Sequence, residues 1–340
     1  MKIVVLAGGY SPEREVSLTS GSLIANALMK NGHRVLLLDV YEGIRELPSD
    51  PEELFLSRGY YTHSVSEAVP DLEKLKSRCQ NGNALIGANV LRLCASADKV
   101  FLALHGSMGE NGQLQATLDS HGITYTGSGY AGSLLAMDKD ISKRLFRDAG
   151  VPTPDWELFD LRIGNREELI TRVGLPCVVK PIDCGSSVGV SMADTREELD
   201  AALAEAARWG QFAVVEKKIV GRELTVGILC GKTLPAVEII PMEGFYDYKN
   251  KYQGTTREIC PAEIDEAVAK RAAELTQKGF AALKLSGYAR FDYLLDENGE
   301  LWCLEANSLP GMTPTSLLPM AASAAGIDYR QLCEIIATRC

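Results

Sequence analysis

Apolar positions along the 340-residue chain follow two rhythms, and their alternation predicts a mixed α/β protein. Lys2–Leu6 is a short apolar run, and Gly8-Gly9 then turns the chain. Ser17–Lys30 carries Leu23, Ile24, Ala27 and Leu28 at helical spacing, Asn31-Gly32 stops it, and Arg34–Asp39 is a second apolar run. That is a βαβ unit on a parallel sheet. Residues 42–80 are polar and irregular, and His63 reads there as a surface residue. Lys99–Leu104 is another buried strand that delivers His105 into a glycine-rich loop. Gln113–Ser120 reads as a helix, Ile123–Thr126 as a strand, and a first domain closes near Gly127–Ser128.

Gly129–Ala149 has helical spacing, with Lys139 and Lys143 on one face, and Pro152 and Pro154 end it. Leu175–Lys180 is a strand leading into Gly185-Ser186-Ser187-Val188-Gly189. This is either an ordinary Gly/Ser hairpin or a flap whose N–H and hydroxyl donors suit polyphosphate oxygens. Phe212–Ile219 alternates as a strand, and the stretches after it continue antiparallel pairing. Glu216, Lys217 and Glu223 are either solvated edge charges or part of a nucleotide clamp. In the clamp, backbone around Glu216–Ile219 meets an adenine edge and Glu223 accepts from ribose hydroxyls. Phe245–Cys260 is a polar, aromatic loop of lid length, and Ala262–Leu285 is a long amphipathic helix.

Gly287–Ser316 organises the rest. Asn298-Gly299 is a strong hairpin signal. A two-residue turn there sets Asp292 opposite Glu305 and Arg290 opposite Asn307. Period two then gives Phe291, Tyr293, Leu295, Trp302, Leu304 and Ala306 one face, and the polar four the other. Opposed carboxylates repel. Either that face is simply solvated, or Asp292, Glu305 and Asn307 hold a hard cation such as Mg²⁺. Pro310-Gly311 follows at once, where a backbone can approach a ligand closely.

Totals narrow the classes. The composition, 46% hydrophobic and 24% charged, is that of a globular protein of two or three domains. A net charge of −10 argues against nucleic acid or an anionic membrane as partner, though not against a local basic pocket. No apolar run approaches the roughly 20 residues of a membrane span, and the start is too short for a signal peptide. Nine cysteines without a CxxC suggest neither a zinc site nor a complete disulfide framework. Cys177, Cys230 and Cys303 read as core residues, and a reducing cytoplasm fits. The opening turn lacks GxGxxG, which counts against a nicotinamide oxidoreductase, and no GxxxxGK[ST] phosphate loop occurs. Lys139, Lys180 and Lys217, the Gly/Ser flap and the paired carboxylates together suit a nucleoside triphosphate with Mg²⁺.

The stretches GGYSPEREVSL, HGSMGENGQLQ, GSGYAGSLLAMDK, KPIDCGSSVGV, FYDYKNKY and RFDYLL…LEANSLPGMTPTSLLP run from Gly8 to Pro319. They closely resemble the D-alanine–D-alanine ligases of the ATP-grasp superfamily. The resemblance implies an N-terminal parallel α/β domain (1–128) and two α+β domains clamping ATP (129–215 and 216–340). It implies that a D-alanine carboxylate takes the γ-phosphate of ATP and that a second D-alanine's amine displaces phosphate. Lys139, Lys180, Ser186, Ser187, Glu216, Lys217, Ile219, Glu223 and Lys251 would then meet ATP. Asp292, Glu305 and Asn307 would hold two Mg²⁺ or Mn²⁺ ions. Arg290 and the Gly311 N–H would stabilise the tetrahedral oxyanion. Glu15 would hold the first ammonium with His105 nearby, Ser316 the second carboxylate, and Glu15, Ser186 and Tyr252 would form a lid-closing triad. A cytoplasmic homodimer is also implied.

One departure is Asn111, where the family usually has Asp, and Ala116 replaces a usual Gly. Tyr252 favours a peptide product over a depsipeptide. The competing readings are a ligase joining D-alanine to D-serine or D-lactate, and an ATP-binding regulator with a dead site.

Overall fold

The computed structural model describes residues 1–63, 70–185, 188–241 and 256–340. Strands β1 (Lys2–Ala7), β2 (Arg34–Asp39) and β3 (Lys99–Leu102) form a parallel sheet in the order β2-β1-β3. The expected strand at Ile123–Thr126 contributes only a single parallel bridge, Tyr125 to Val100. The first helix spans Arg14–Lys30, beginning before the expected Ser17. Arg14 and Glu15 therefore lie in its first turn. Arg14 is buried there because its guanidinium meets Asp39 at 2.6 Å and also pairs with Glu42.

A second, antiparallel sheet contains β4 (Trp156–Asp160), β5 (Cys177–Pro181), β6 (Ser191–Ala193) and β7 (Phe212–Lys217), in the order β4-β7-β5-β6. Strand β7 runs through the expected division at 215/216. Glu216 pairs with Trp156 and Val178, and Lys217 with Cys177. After Lys217 the chain leaves this sheet, so the next strand does not pair with β7 as the sequence suggested. That strand, β8 (Arg222–Leu229), belongs to a third sheet with β9 (Lys232–Thr233), β10 (Val237–Pro241), β11 (Thr256–Ile259), β12 (Tyr288–Leu295) and β13 (Leu301–Asn307). Strand β11 takes the end of the stretch read as an irregular loop, because Thr256–Ile259 finds open edge partners on β10.

The expected helix Gly129–Ala149 is two helices, Tyr130–Met137 and Lys139–Asp148. Asp138 divides them, its carboxylate accepting from the Ile141 N–H at 2.9 Å as an N-cap. The second helix drives Phe146 into the core under the third sheet, with its ring centroid 6.1 Å from that of Phe291. Glu266–Ala282, the long helix expected at 262–285, covers the same core through Leu275.

Cys177 and Cys303 are buried as expected. Cys230 is not a plain core thiol: it forms a disulfide with Cys340, tying the β8–β9 turn to the end of the helix Tyr329–Arg339. Among the described residues no helix is long and apolar enough to cross a membrane.

Candidate active site

A cavity of about 570 Å³ lies between the second and third sheets, a size suited to a small-molecule ligand. Strand alternation supplies its charges. On β5, Cys177 and Val179 enter the domain core while Val178 and Lys180 line the cavity. On β7, Ala213 and Val215 enter that core and Glu216 faces the cavity. Lys139, Lys217, Glu223, Asp292 and Glu305 add charged groups to the lining, and Ile219 lines it as well. The structure thus brings together eight of the residues singled out from the sequence. Ser186, Ser187, Lys251 and Tyr252 lie outside the described residues.

Glu216 is nearly inaccessible, and both of its oxygens are paired. Lys180 Nζ lies 2.5 Å from one and Lys143 Nζ donates to the other at 2.8 Å. Burial alone would raise the Glu216 pKa, but the two ammonium groups outweigh it and bring it down to about 2. Burial likewise opposes the charge on Lys180, and Glu216 overcomes it, so the Lys180 pKa stands above the usual value. Lys139 sits at the start of its helix, donates to the Cys184 carbonyl at 2.6 Å and lies 3.8 Å from Glu305. Lys143 was visible as a helix-face partner of Lys139 and was not singled out. Its signal was the i, i+4 spacing of two lysines on one helix face.

The hairpin places Asp292 opposite Glu305 and Arg290 opposite Asn307, by a route the sequence did not show. The turn is the longer loop Asp296–Glu300, whose Asp296 carboxylate accepts from the Asn298 and Glu300 N–H groups at 2.9 Å each. This shifts the register by one, pairing Leu295 with Leu301 and Tyr293 with Cys303. A bulge between Asp292 and Tyr293 then restores it. The shift exchanges faces on β13. Leu301 and Cys303 join Phe291 and Tyr293 in the core, whereas Trp302 and Leu304, expected there, lie partly exposed.

Asp292 is the hub of the polar face. It accepts from Arg290 Nε at 2.9 Å and Nη2 at 2.8 Å, from Thr225 Oγ1 at 2.7 Å and from Asn307 Nδ2 at 3.2 Å. No group of three or more His, Cys, Asp or Glu side chains suited to a metal occurs among the described residues. Two carboxylates and an amide are nonetheless a hard-oxygen donor set. They fit Mg²⁺ whose shell a polyphosphate completes, provided the Asn307 amide turns its oxygen inward.

Beyond Asp292 the loop after β3 meets the β12–β13 hairpin at a second cluster. His105 follows β3, is buried, and is close enough to feel the charges of Glu13 and Arg290. Burial lowers its pKa, so the ring is neutral at neutral pH, and its Nε2 finds no partner among the described residues. Gly106 adopts φ +84°, and a Cβ there would stand 2.6 Å from Ser11 Oγ and 3.2 Å from Glu13 Oε2. Only glycine lets these two loops close on each other. Glu110 is packed into the same place. Burial, then the charges of Glu13 and Glu305, push its carboxyl well above the usual range, against Arg290 and Lys139. A Cβ on Gly311 would lie 3.0 Å from Ser316 Oγ, which accepts from the Thr313 N–H at 3.1 Å.

Glu15 is not in this cluster. Its Oε2 lies 2.7 Å from His63 Nε2 and its Oε1 lies 3.8 Å from Arg14 Nε. The helix begins at Arg14, so Glu15 lies in its first turn, while Glu13, the N-cap, stands against Gly106. His63 is therefore a partner of Glu15 and not a free surface residue. Glu13 and Glu110 are the carboxylates that the sequence reading passed over. Both lay in its quoted motifs, and nothing in the local pattern ranks Glu13 above Glu15.

A cleft between two antiparallel sheets, with lysines on one wall and paired carboxylates on the other, is that of an ATP-grasp ligase. The family model for the D-ala D-ala ligase N-terminus matches residues 2–128, and that for the D-ala D-ala ligase C-terminus matches 145–338. The D-alanine–D-alanine ligase of Pediococcus pentosaceus is 42% identical, over 99% of this chain and 96% of its own. That of Aquifex aeolicus is 38% identical, over 99% and 100%. Among solved structures, the Bacillus anthracis D-alanine–D-alanine ligase complexed with ATP aligns with a TM-score of 0.77 and 32% identity, over 99% of this chain and 95% of that one. The VanG D-Ala:D-Ser ligase of Enterococcus faecalis gives 0.77 and 28%, over 98% of each. The chain belongs to the D-alanine–D-alanine ligase family.

Proposed function

We propose that this chain joins two D-alanines at the expense of ATP through a D-alanyl phosphate, releasing ADP and phosphate for peptidoglycan precursor synthesis. The observation that carries it is the 570 Å³ cleft, whose phosphate-suited lysines and carboxylates open onto the His105–Arg290 cluster, in a chain 42% identical to a ligase of that name.

A carboxylate is a poor electrophile, and phosphorylation gives it a leaving group. Lys139 and Lys180 lie where they neutralise phosphate charge. Glu216–Ile219 offers backbone at the adenine end, Glu223 the ribose contact, and Lys217 a further cation. Asp292, Glu305 and Asn307 would hold Mg²⁺, which when bound draws charge from the phosphate oxygens. Ser186, Ser187, Lys251 and Tyr252 keep the flap and lid roles that the family resemblance gives them. Arg290 and the Gly311 N–H stabilise the oxyanion of the second step, and Ser316, at the start of the helix Leu317–Ala324, receives the second carboxylate. Glu13, beside His105, takes the ammonium contact first assigned to Glu15. A cytoplasmic setting and a homodimer are carried over from the family resemblance; seven of the nine cysteines are free thiols, beside the one Cys230–Cys340 disulfide.

The test is phosphate release with ATP and Mg²⁺ in the presence of D-alanine, L-alanine or neither. Release that requires D-alanine, with D-alanyl-D-alanine as product, is expected. D-alanyl-D-serine as the main product from mixed acceptors would move the reading to the D-Ser class represented by the VanG structure. ATP binding without D-alanine-dependent turnover would leave a regulator.

A further inference from the structure

Lys143 is a buried lysine with no part in the chemistry above; burial pulls its pKa below the usual lysine value, and Glu216 beside it favours the charged form. Its side chain is 1% exposed, against 12% for Lys180. It is held on three sides: Glu216 Oε2 at 2.8 Å, Thr153 Oγ1 at 2.7 Å, and the Trp156 ring with its centroid 5.2 Å away. Lys180 has a different setting. It shares Glu216 from the cavity wall, and Glu216 is its ion-pair partner at 2.5 Å.

We propose that Lys143 is a positioning residue of the nucleotide site: it is the fixed partner of Glu216, and so releases Lys180 to turn from Glu216 to the phosphates of ATP. The inference rests on the nucleotide reading of the cleft.

The physical case is a count of charges. Glu216 carries one negative charge, is 3% exposed, and has two cations. If Lys180 were its only partner, moving that ammonium to a phosphate would strand a buried carboxylate, which a protein interior tolerates poorly. Lys180 would then stay on Glu216, and ATP would have to compete with an ion pair for its own ligand. With Lys143 fixed behind the wall, one oxygen of Glu216 stays paired whatever Lys180 does. The arrangement parks Lys180 without trapping it. Thr153 and Trp156 hold Lys143 in place, so it does not itself compete for the phosphates.

The experiment compares the full chain with Lys143→Met, with Glu216→Gln and with Lys143→Met/Glu216→Gln. It reads KM for ATP and for D-alanine, ATP–Mg²⁺ binding by calorimetry, and thermal melting. In Lys143→Met the KM for ATP is expected to rise at least about tenfold, the loss of one charge-assisted contact, with the D-alanine KM within about threefold. Because Glu216 itself lines the nucleotide cleft, the double variant is read against Glu216→Gln alone, and the two should share one ATP KM, because Lys180 then has nothing to leave. A role in packing alone predicts otherwise: both KM values and the melt would move together, and Lys143→Met would cost as much beside Glu216→Gln as alone. That result overturns the proposal, as does an unchanged ATP KM in Lys143→Met. Should the single variant not fold, the double variant, which lacks both members of the buried pair, decides. An ATP KM equal to that of Glu216→Gln supports the proposal, and a further rise of tenfold or more overturns it. A parent chain that fails to bind ATP at all would overturn the nucleotide reading and this inference together. Normal parent binding with no effect of Lys143 removes this inference only.

Discussion

Arg290→Met is expected to lower turnover by about 10²–10³-fold, the usual loss when one preorganised donor to a developing oxyanion is removed. The geometry suggests the upper end. Arg290 forks onto Asp292 through Nε and Nη2, so the guanidinium is held at a fixed angle beside the hairpin before any substrate arrives. Asp292 keeps its contacts with Thr225 and Asn307 when the fork is gone. The substitution therefore removes an oxyanion donor and also loosens a carboxylate assigned to the metal. Arg290→Lys retains the charge but not the planar fork and should recover only part of the loss. Stopped-flow phosphate release with saturating ATP and D-alanine measures it. A Met variant within tenfold of the parent would show that the oxyanion is stabilised elsewhere, and attention would pass to the Gly311 N–H.

How much of this site could be read from sequence depended on whether the controlling information was local. The lysines of the cleft follow from strand alternation around Lys180 and from helix spacing at Lys139, and both were legible. The hairpin shows the limit. Asn298-Gly299 predicted a tight turn, but the Asp296 carboxylate stabilises a longer loop by capping two N–H groups. The bulge beside Asp292 then compensates. Two errors of one residue cancelled at the polar pairs and left Trp302 and Leu304 on the wrong face. Neither the capping nor the bulge has a period that a sequence displays. The division at 215/216 failed for a related reason: Glu216 and Lys217 pair with β4 and β5, which are remote in sequence. The Cys230–Cys340 disulfide joins residues 110 apart, and no spacing rule connects them.

The same blindness to non-local contacts governs the choice between two glutamates in one motif. Both flank Arg14, and charge, size and position gave no reason to prefer either. Glu13 stands against Gly106 and within electrostatic reach of His105 and Glu110, where a small ammonium would gain a carboxylate in a partly buried setting. Glu15 is already satisfied by His63 at 2.7 Å, on the far side of the helix start. Glu13→Gln should therefore raise the KM for the first D-alanine roughly a hundredfold, about 2–3 kcal/mol for losing the charged half of a buried hydrogen-bonded pair. The KM for ATP should change little. Glu15→Gln removes a partly exposed contact with His63, and its effect on that KM should stay within about threefold. Titrating D-alanine into both variants at fixed ATP separates the two assignments. A large effect at Glu15 with a small one at Glu13 would return the ammonium to Glu15, and would require the His63 contact to break each time substrate binds.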